Sequence, residues 1–260
     1  MDDKEVGKYW DENAANWTKL ARMGYDIYRD YVNTPEFFRI LPDISKSKGI
    51  DIGCGEGYNT RIACKKGAYM VGIDISKSFI ENAIIEEKKC PLGIDYKVAN
   101  ALNLPFNDKE FDFAISTMSF MDLSQFDKAL EEAYRVIKPK GFFQFSILHP
   151  CYTTPIRGWI KDNKGNKKGL MCADYFNEIE GVIEEWIFSA APKEIVKDMK
   201  MFRVPRFHRT LSTWFNAVVD TGFTLEKLSE PQPTKQLIEK IPLLADCNIV
   251  AYFLIVRCRK

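Results

Sequence analysis

Histidine is almost missing from this chain, with two in 260 residues. Cysteine is present seven times, an odd count, at positions 54, 64, 90, 151, 172, 247 and 258, and no two of them form a Cys-x-x-Cys pair. That ligand supply excludes a structural zinc site of the usual spacing, so no metal is expected. The unpaired count points to reduced thiols in a cytoplasmic setting. A surplus of charge of either sign is also missing: 37 basic side chains face 36 acidic ones, for a formal charge of +1. A field that weak does not hold a polyanion, so neither nucleic acid nor a membrane surface is an expected partner. No apolar run approaches the roughly 18–20 residues that span a bilayer. The opening MDDKEVGKYW lacks the apolar core of a signal peptide. What remains is a chain that is 46% apolar and long enough to fold without staples, as one large domain or one domain carrying an insertion. A monomer or homodimer acting on a small molecule fits that balance.

Residues 1–44 read as a helical cover. Trp10, Ala14, Trp17 and Ala21 recur at spacings of three and four, one apolar helix face. Thr34-Pro35-Glu36 then starts a short helix that stops at Pro42. Over 45–149 strand and helix alternate. Strands are predicted at Gly49–Ile52, Ala68–Asp74, Ile94–Val98, Phe111–Ser116 and Phe142–Leu148, with helices at Gly57–Lys66, after Ser76, and from Ser124 to Ile137. That rhythm implies an α/β fold, a doubly wound and mostly parallel sheet with helices on both faces. Residues 150–206 break it. Arg157–Gly169 is polar and turn-rich, and Glu184–Phe188 and Met199–Arg203 are candidate strands, so the stretch reads as an insertion. Residues 207–260 resume the pattern with a helix from Leu211 to Asp220 closed by Gly222, a strand at Phe223–Leu228 and a last one at Ile249–Val256.

The chemistry concentrates in Asp51-Ile52-Gly53-Cys54-Gly55-Glu56-Gly57, at the turn from the first strand into the first helix. Glycines there let a ligand lie against backbone beside a helix N-terminus. The spacing is Gly-x-Gly-x-Gly, not the Gly-x-Gly-x-x-Gly that makes room for a pyrophosphate. Asp51 before the loop suits an ammonium group better than an anion. Asp74 ends the second strand about 20 residues further on, where a carboxylate accepts both hydroxyls of a ribose. The expected ligand has a nucleoside end and a cationic end.

These residues closely resemble the class I S-adenosylmethionine-dependent methyltransferases, in particular the small-molecule branch with the ubiquinone/menaquinone-type enzymes. DIGCGEG, the acid in GIDIS, Ala99–Phe106, Phe111–Ser116 and Val136–Phe142 carry the resemblance, in order and at matching separations. It implies a Rossmann-like, seven-stranded sheet with the last strand antiparallel, and S-adenosyl-L-methionine as cofactor with S-adenosyl-L-homocysteine as product. It places Gly53, Cys54 and Gly55 against the methionine moiety, with Asp51 supporting its amino group. Asp74 would take the ribose and Ile75 would pack on adenine. Asn100 and Ala101 would meet the adenine edge, and Ser116 or Thr117 would lie below the methionine carbons.

Two departures stand out. Asn100 occupies a position where most relatives have Asp. Met121-Asp122 replaces the His-containing pair that many relatives carry after the fourth strand, so Met121 would face the acceptor. His149, ending the fifth strand, and His208, before the next helix, become the candidate bases on the rim where open α/β sheets bind ligands; either could instead be a hydrogen-bonded structural residue. Trp10 and Trp17, with Tyr9, have two readings: a helix face packed on the core, or a cover over the sulfonium, where a cation beside an aromatic face is favourable. Tyr152, Trp186 and Phe207 are the expected apolar walls for substrate. The alternatives are a protein that binds this cofactor without methyl transfer, or a nicotinamide-dependent oxidoreductase.

Overall fold

The computed structural model describes all residues, 1–260. The chain begins with α1 (Asp3–Arg22), whose Asp2 and Glu5 form a capping box, and α2 (Thr34–Ile40). The core alternates β1 (Lys48–Ile52), α3 (Tyr58–Lys65), β2 (Tyr69–Asp74), α4 (Lys77–Lys89), β3 (Asp95–Val98), β4 (Phe111–Thr117), α5 (Phe126–Val136) and β5 (Ile137–Leu148). Then come β6 (Ile156–Lys161), β7 (Lys167–Ala173), β8 (Ile179–Trp186), α6 (Lys193–Val196) and β9 (Phe202–His208). The chain closes with α7 (Leu211–Asp220), β10 (Thr224–Ser229), α8 (Lys235–Lys240) and β11 (Phe253–Arg259).

Seven strands form one sheet in the order β10-β11-β5-β4-β1-β2-β3. β11 runs antiparallel to both of its neighbours and the rest are parallel, which is the expected α/β arrangement. Strand alternation sorts the core into two layers. Along β5, Phe143, Phe145 and Ile147 enter the layer beneath α5 and α7, while Phe142 faces the layer of α2, α3 and α4. On that second face Gln144 donates to the Phe37 carbonyl (2.7 Å) and Ser146 Oγ accepts from Asn33 Nδ2 (3.0 Å). These bonds tie the α2 segment down on the sheet.

The polar stretch after β5 is more regular than its composition. Arg157–Gly169 lies in a hairpin, β6 with β7, turned at Asp162–Asn166, where the Asp162 carboxylate accepts the backbone N–H of Lys164 and Asn166 (2.9 Å each). The strands expected at Glu184–Phe188 and Met199–Arg203 exist but sit elsewhere, as β8 and β9, paired antiparallel. The last strand begins at Phe253 and not at Ile249, because Pro242–Asn248 winds into a 3₁₀ turn first.

α1 spans both parts. Asn13 exchanges two hydrogen bonds with the Arg203 backbone on β9 (2.9 and 3.0 Å). Two residues earlier, on the opposite side of the helix, Asp11 accepts from Ser76 Oγ and from the Ser78 N–H at the start of α4 (2.8 Å each).

Candidate functional site

A cavity of about 1110 Å³ opens over the carboxyl ends of β1, β2 and β4, under α1 and the two hairpins. Its floor is the glycine loop. Gly53 has φ +78°, and a Cβ there would fall 1.9 Å from Ser119 Oγ, so only glycine fits. Gly55 has φ +54° with nothing within 4 Å of an added Cβ, which leaves ligand-sized space beside the backbone.

Asp74 stands at the edge of that space. Its oxygens accept from Gly55 N–H (2.8 Å) and Ser76 N–H (2.9 Å), one each. An ionised carboxylate offers about four acceptor positions, so room remains for two hydroxyls. Burial pushes its pKa up to about 6, against those backbone hydrogen bonds. Cys54, Ile75, Asn100, Ala101 and Thr117 share the same end of the cavity. Thr117 Oγ1 accepts from Asn59 Nδ2 (2.7 Å).

The sequence reading missed a charged group here. Asp26 and Arg29, between α1 and α2, line the cavity together with Glu56. Arg29 pairs with Asp30 (2.8 Å), Glu56 (3.4 Å) and Asp26 (3.7 Å), and its guanidinium lies 3.9 Å from the centre of the Tyr58 ring. Burial raises Asp26 to about 6 despite Arg29. The signal was the dense run Tyr25-Asp-Ile-Tyr-Arg-Asp30 between two helices, too polar for core and too aromatic for a simple linker.

The other end of the cavity is aromatic. Tyr28 and Tyr152 each stack on Tyr252, with centroids 5.4 and 4.1 Å apart. Trp159 of β6 and Leu243 of the 3₁₀ turn extend this wall. Above it, Trp17 meets Trp10, Trp186, Phe188 and Phe202 at 4.8–5.4 Å between centroids. Trp10, Trp17, Met121, Tyr152, Trp186 and Phe207 all face the cavity. The tryptophans therefore pack on neighbouring rings and also line the cavity.

Five of the sequence-derived site residues do not face it. His149 is turned away: its Nε2 lies 2.9 Å from Glu230 Oε1 and its Nδ1 accepts from Cys151 N–H (3.1 Å). Burial lowers its pKa against the pull of Glu230, which favours a neutral ring at pH 7. His208 follows cavity-lining Phe207 at the end of β9 but does not itself line the cavity. It is fully buried, with Nδ1 3.1 Å from Thr153 Oγ1 and Nε2 2.8 Å from the Tyr175 carbonyl. Neither histidine lines this cavity, so the structure does not bring either expected base to it.

Ser116 is fully buried and donates to the Ile52 carbonyl (2.7 Å), so of the two candidates Thr117 alone lies on the wall. Tyr9, one helix step from Trp10, lies under the Arg203 guanidinium outside the cavity (4.8 Å). Asp51 sits beneath the loop, fully buried, with Oδ2 accepting from Thr60 Oγ1 (2.6 Å) and Oδ1 without a partner. Burial lifts its pKa to about 7. Asn100 faces the cavity, and its Oδ1 accepts the Leu102 N–H (2.9 Å), which leaves the amide oxygen one further acceptor position.

Comparison with known proteins agrees with this geometry. The family described as a methyltransferase domain matches residues 50–145. A crystal structure of an S-adenosylmethionine-dependent methyltransferase from Mesorhizobium loti superposes with a TM-score of 0.72 at 27% identity, covering 87% of this chain and 96% of that one. The ubiquinone biosynthesis O-methyltransferase of Pelagibacter ubique is 36% identical over 39% of this chain and 42% of its own length. The ubiquinone/menaquinone biosynthesis C-methyltransferase of Bartonella bacilliformis is 32% identical over 51% of this chain and 52% of its own. The chain thus spans about half the length of these two curated relatives. Separately, no helix is long and apolar enough to cross a membrane.

Proposed function

We propose that the chain is a class I S-adenosylmethionine-dependent methyltransferase, a reading supported by the methyltransferase-domain match and the Mesorhizobium loti structure, and that it methylates a flat, largely apolar small molecule. One observation carries the reading: a single cavity runs from the glycine loop and Asp74 to the stacked Tyr28, Tyr152 and Tyr252. The open space at Gly55 and the spare acceptor capacity of Asp74 fit the cofactor's nucleoside.

Asp74 would hold the ribose hydroxyls and Ile75 the adenine face. The methionine end is a zwitterion, and the cavity group there carries both signs. Arg29 suits its carboxylate, and Asp26 with Glu56 suits its ammonium. Asp51, buried beneath the loop, supports it from below through Thr60. When bound, the cofactor supplies an electrophilic methyl group on sulfonium: the sulfur–carbon bond breaks as the bond to the acceptor forms. Thr117 and the loop backbone hold the reacting centre in line, and Trp10 and Trp17 help exclude water above it. Alignment of that kind accounts for about 7–11 kcal/mol of barrier lowering. With both imidazoles facing away, the favoured acceptor needs no histidine base: an amine lone pair, or an acidic phenol or enol that ionises by itself.

Seven free thiols favour the cytoplasm. The test is incubation with S-adenosylmethionine labelled in the methyl group and a panel of phenols, quinols and aromatic amines. The expected result is label in one acceptor class with equal S-adenosylhomocysteine. Transfer confined to nucleic acid or protein would refute the reading.

A further inference from the structure

Adenine presents a donor, the N6 amino group, beside an acceptor, N1. The side chain nearest that edge, Asn100, is only partly free to receive the donor. Its oxygen already receives Leu102 N–H, leaving one acceptor position, and its Nδ2, itself a donor, is held toward Asp3. That Nδ2 is hydrogen-bonded to a carboxylate from a distant part of the chain, Asp3 Oδ2 on the first turn of α1. Asp3 and Asn100 both face the cavity, and so does Ile75.

The placement of Asp3 is fixed by independent contacts. Gly7, one turn on, packs so closely on Ile75 that a Cβ would lie 3.2 Å from its side chain. Asp11 caps α4 through Ser76 and Ser78, on the strand end that carries Asp74. The start of α1 therefore lies over the adenine end, with a carboxylate beside Asn100 Nδ2.

We propose that Asp3 accepts the adenine N6 amino group, with Asn100 Nδ2 clamping the carboxylate in position. This rests on the methyltransferase reading above. Glu5, Asp2 and the Asp2–Glu5 capping box keep α1 formed when Asp3 is replaced.

The test is calorimetric titration with S-adenosylhomocysteine and with S-inosylhomocysteine, which carries an oxygen in place of N6. The unaltered protein is expected to favour the adenosyl ligand at least tenfold. Asp3→Ala should bring that ratio within threefold, by losing adenosyl affinity and not by losing both. Asp11→Ala, which loosens the same helix, should weaken both ligands alike and keep the ratio. The inference is overturned if Asp3→Ala weakens both ligands equally or leaves the preference intact, or if Asp11→Ala abolishes the preference as well. Failure of the unaltered protein to bind S-adenosylhomocysteine would instead defeat the methyltransferase reading itself.

Discussion

The two ends of the cavity are built in different ways. The cofactor end comes mainly from two strand-to-helix turns of one contiguous βαβ unit, where Gly53, Gly55 and Asp74 are bonded through backbone N–H groups close in sequence. The acceptor end is assembled from a helix at the N-terminus, two hairpins after β5 and a turn near the C-terminus, with Tyr28, Tyr152 and Tyr252 meeting from three remote segments. The first end holds polar groups with few alternatives. The second holds interchangeable rings. A ligand common to many enzymes is met by the local, rigid end, and the variable ligand by the end that packing alone defines.

That contrast can be broken most forcefully at Trp17. Its ring touches four others and joins α1 to the β8–β9 hairpin. Trp17→Ala should lower unfolding stability by about 3 kcal/mol, the low end for loss of a large aromatic side chain, measured by urea denaturation. A loss below about 1 kcal/mol would mean the acceptor end does not depend on this packing.

Next is Asp74→Ala, which should weaken S-adenosylhomocysteine binding at least tenfold, about 1.4 kcal/mol, while leaving stability nearly unchanged. Calorimetry would show it. Equal affinity in the variant would remove the carboxylate from the ribose.

The same group gives a pH dependence. Its pKa is raised to about 6 by burial, and hydrogen bonds from ribose favour the ionised form. Affinity should therefore rise with pH through 6 and fall by about tenfold at pH 5, roughly the effect of one pKa unit. Asp74→Asn should make the profile shallower, leaving the share carried by Asp26, which burial also raises to about 6. A profile that is flat in the unaltered protein would contradict the assignment.

The smallest effects are expected at the histidines. His149→Ala and His208→Ala should leave S-adenosylhomocysteine affinity within a few fold and single-turnover transfer similarly intact, with the change appearing in thermal stability. A hundredfold loss of transfer in a folded variant would return a base role to that residue.

How much of this was legible in the sequence follows the same division. The parallel sheet and the glycine loop with Asp74 were readable because strand period, glycine spacing and a strand-end acid agree within one short segment, whereas the antiparallel β11 followed only from the family resemblance. Ser116 and Thr117 could not be separated by sequence alone, since choosing between neighbours requires knowing which face of β4 is up. His149 and His208 were placed near the rim correctly but pointed wrongly. Position along a strand fixes height, whereas Glu230 and Thr153, far away in sequence, fix direction. Asp26, Arg29 and the Pro242–Asn248 turn were missed because their role appears only when the termini fold over the sheet.

The most direct test of the account is a pair of titrations of the unaltered protein, one with S-adenosylhomocysteine and one with NAD. The account predicts one S-adenosylhomocysteine bound per chain and no measurable NAD binding. NAD binding without S-adenosylhomocysteine binding would contradict it.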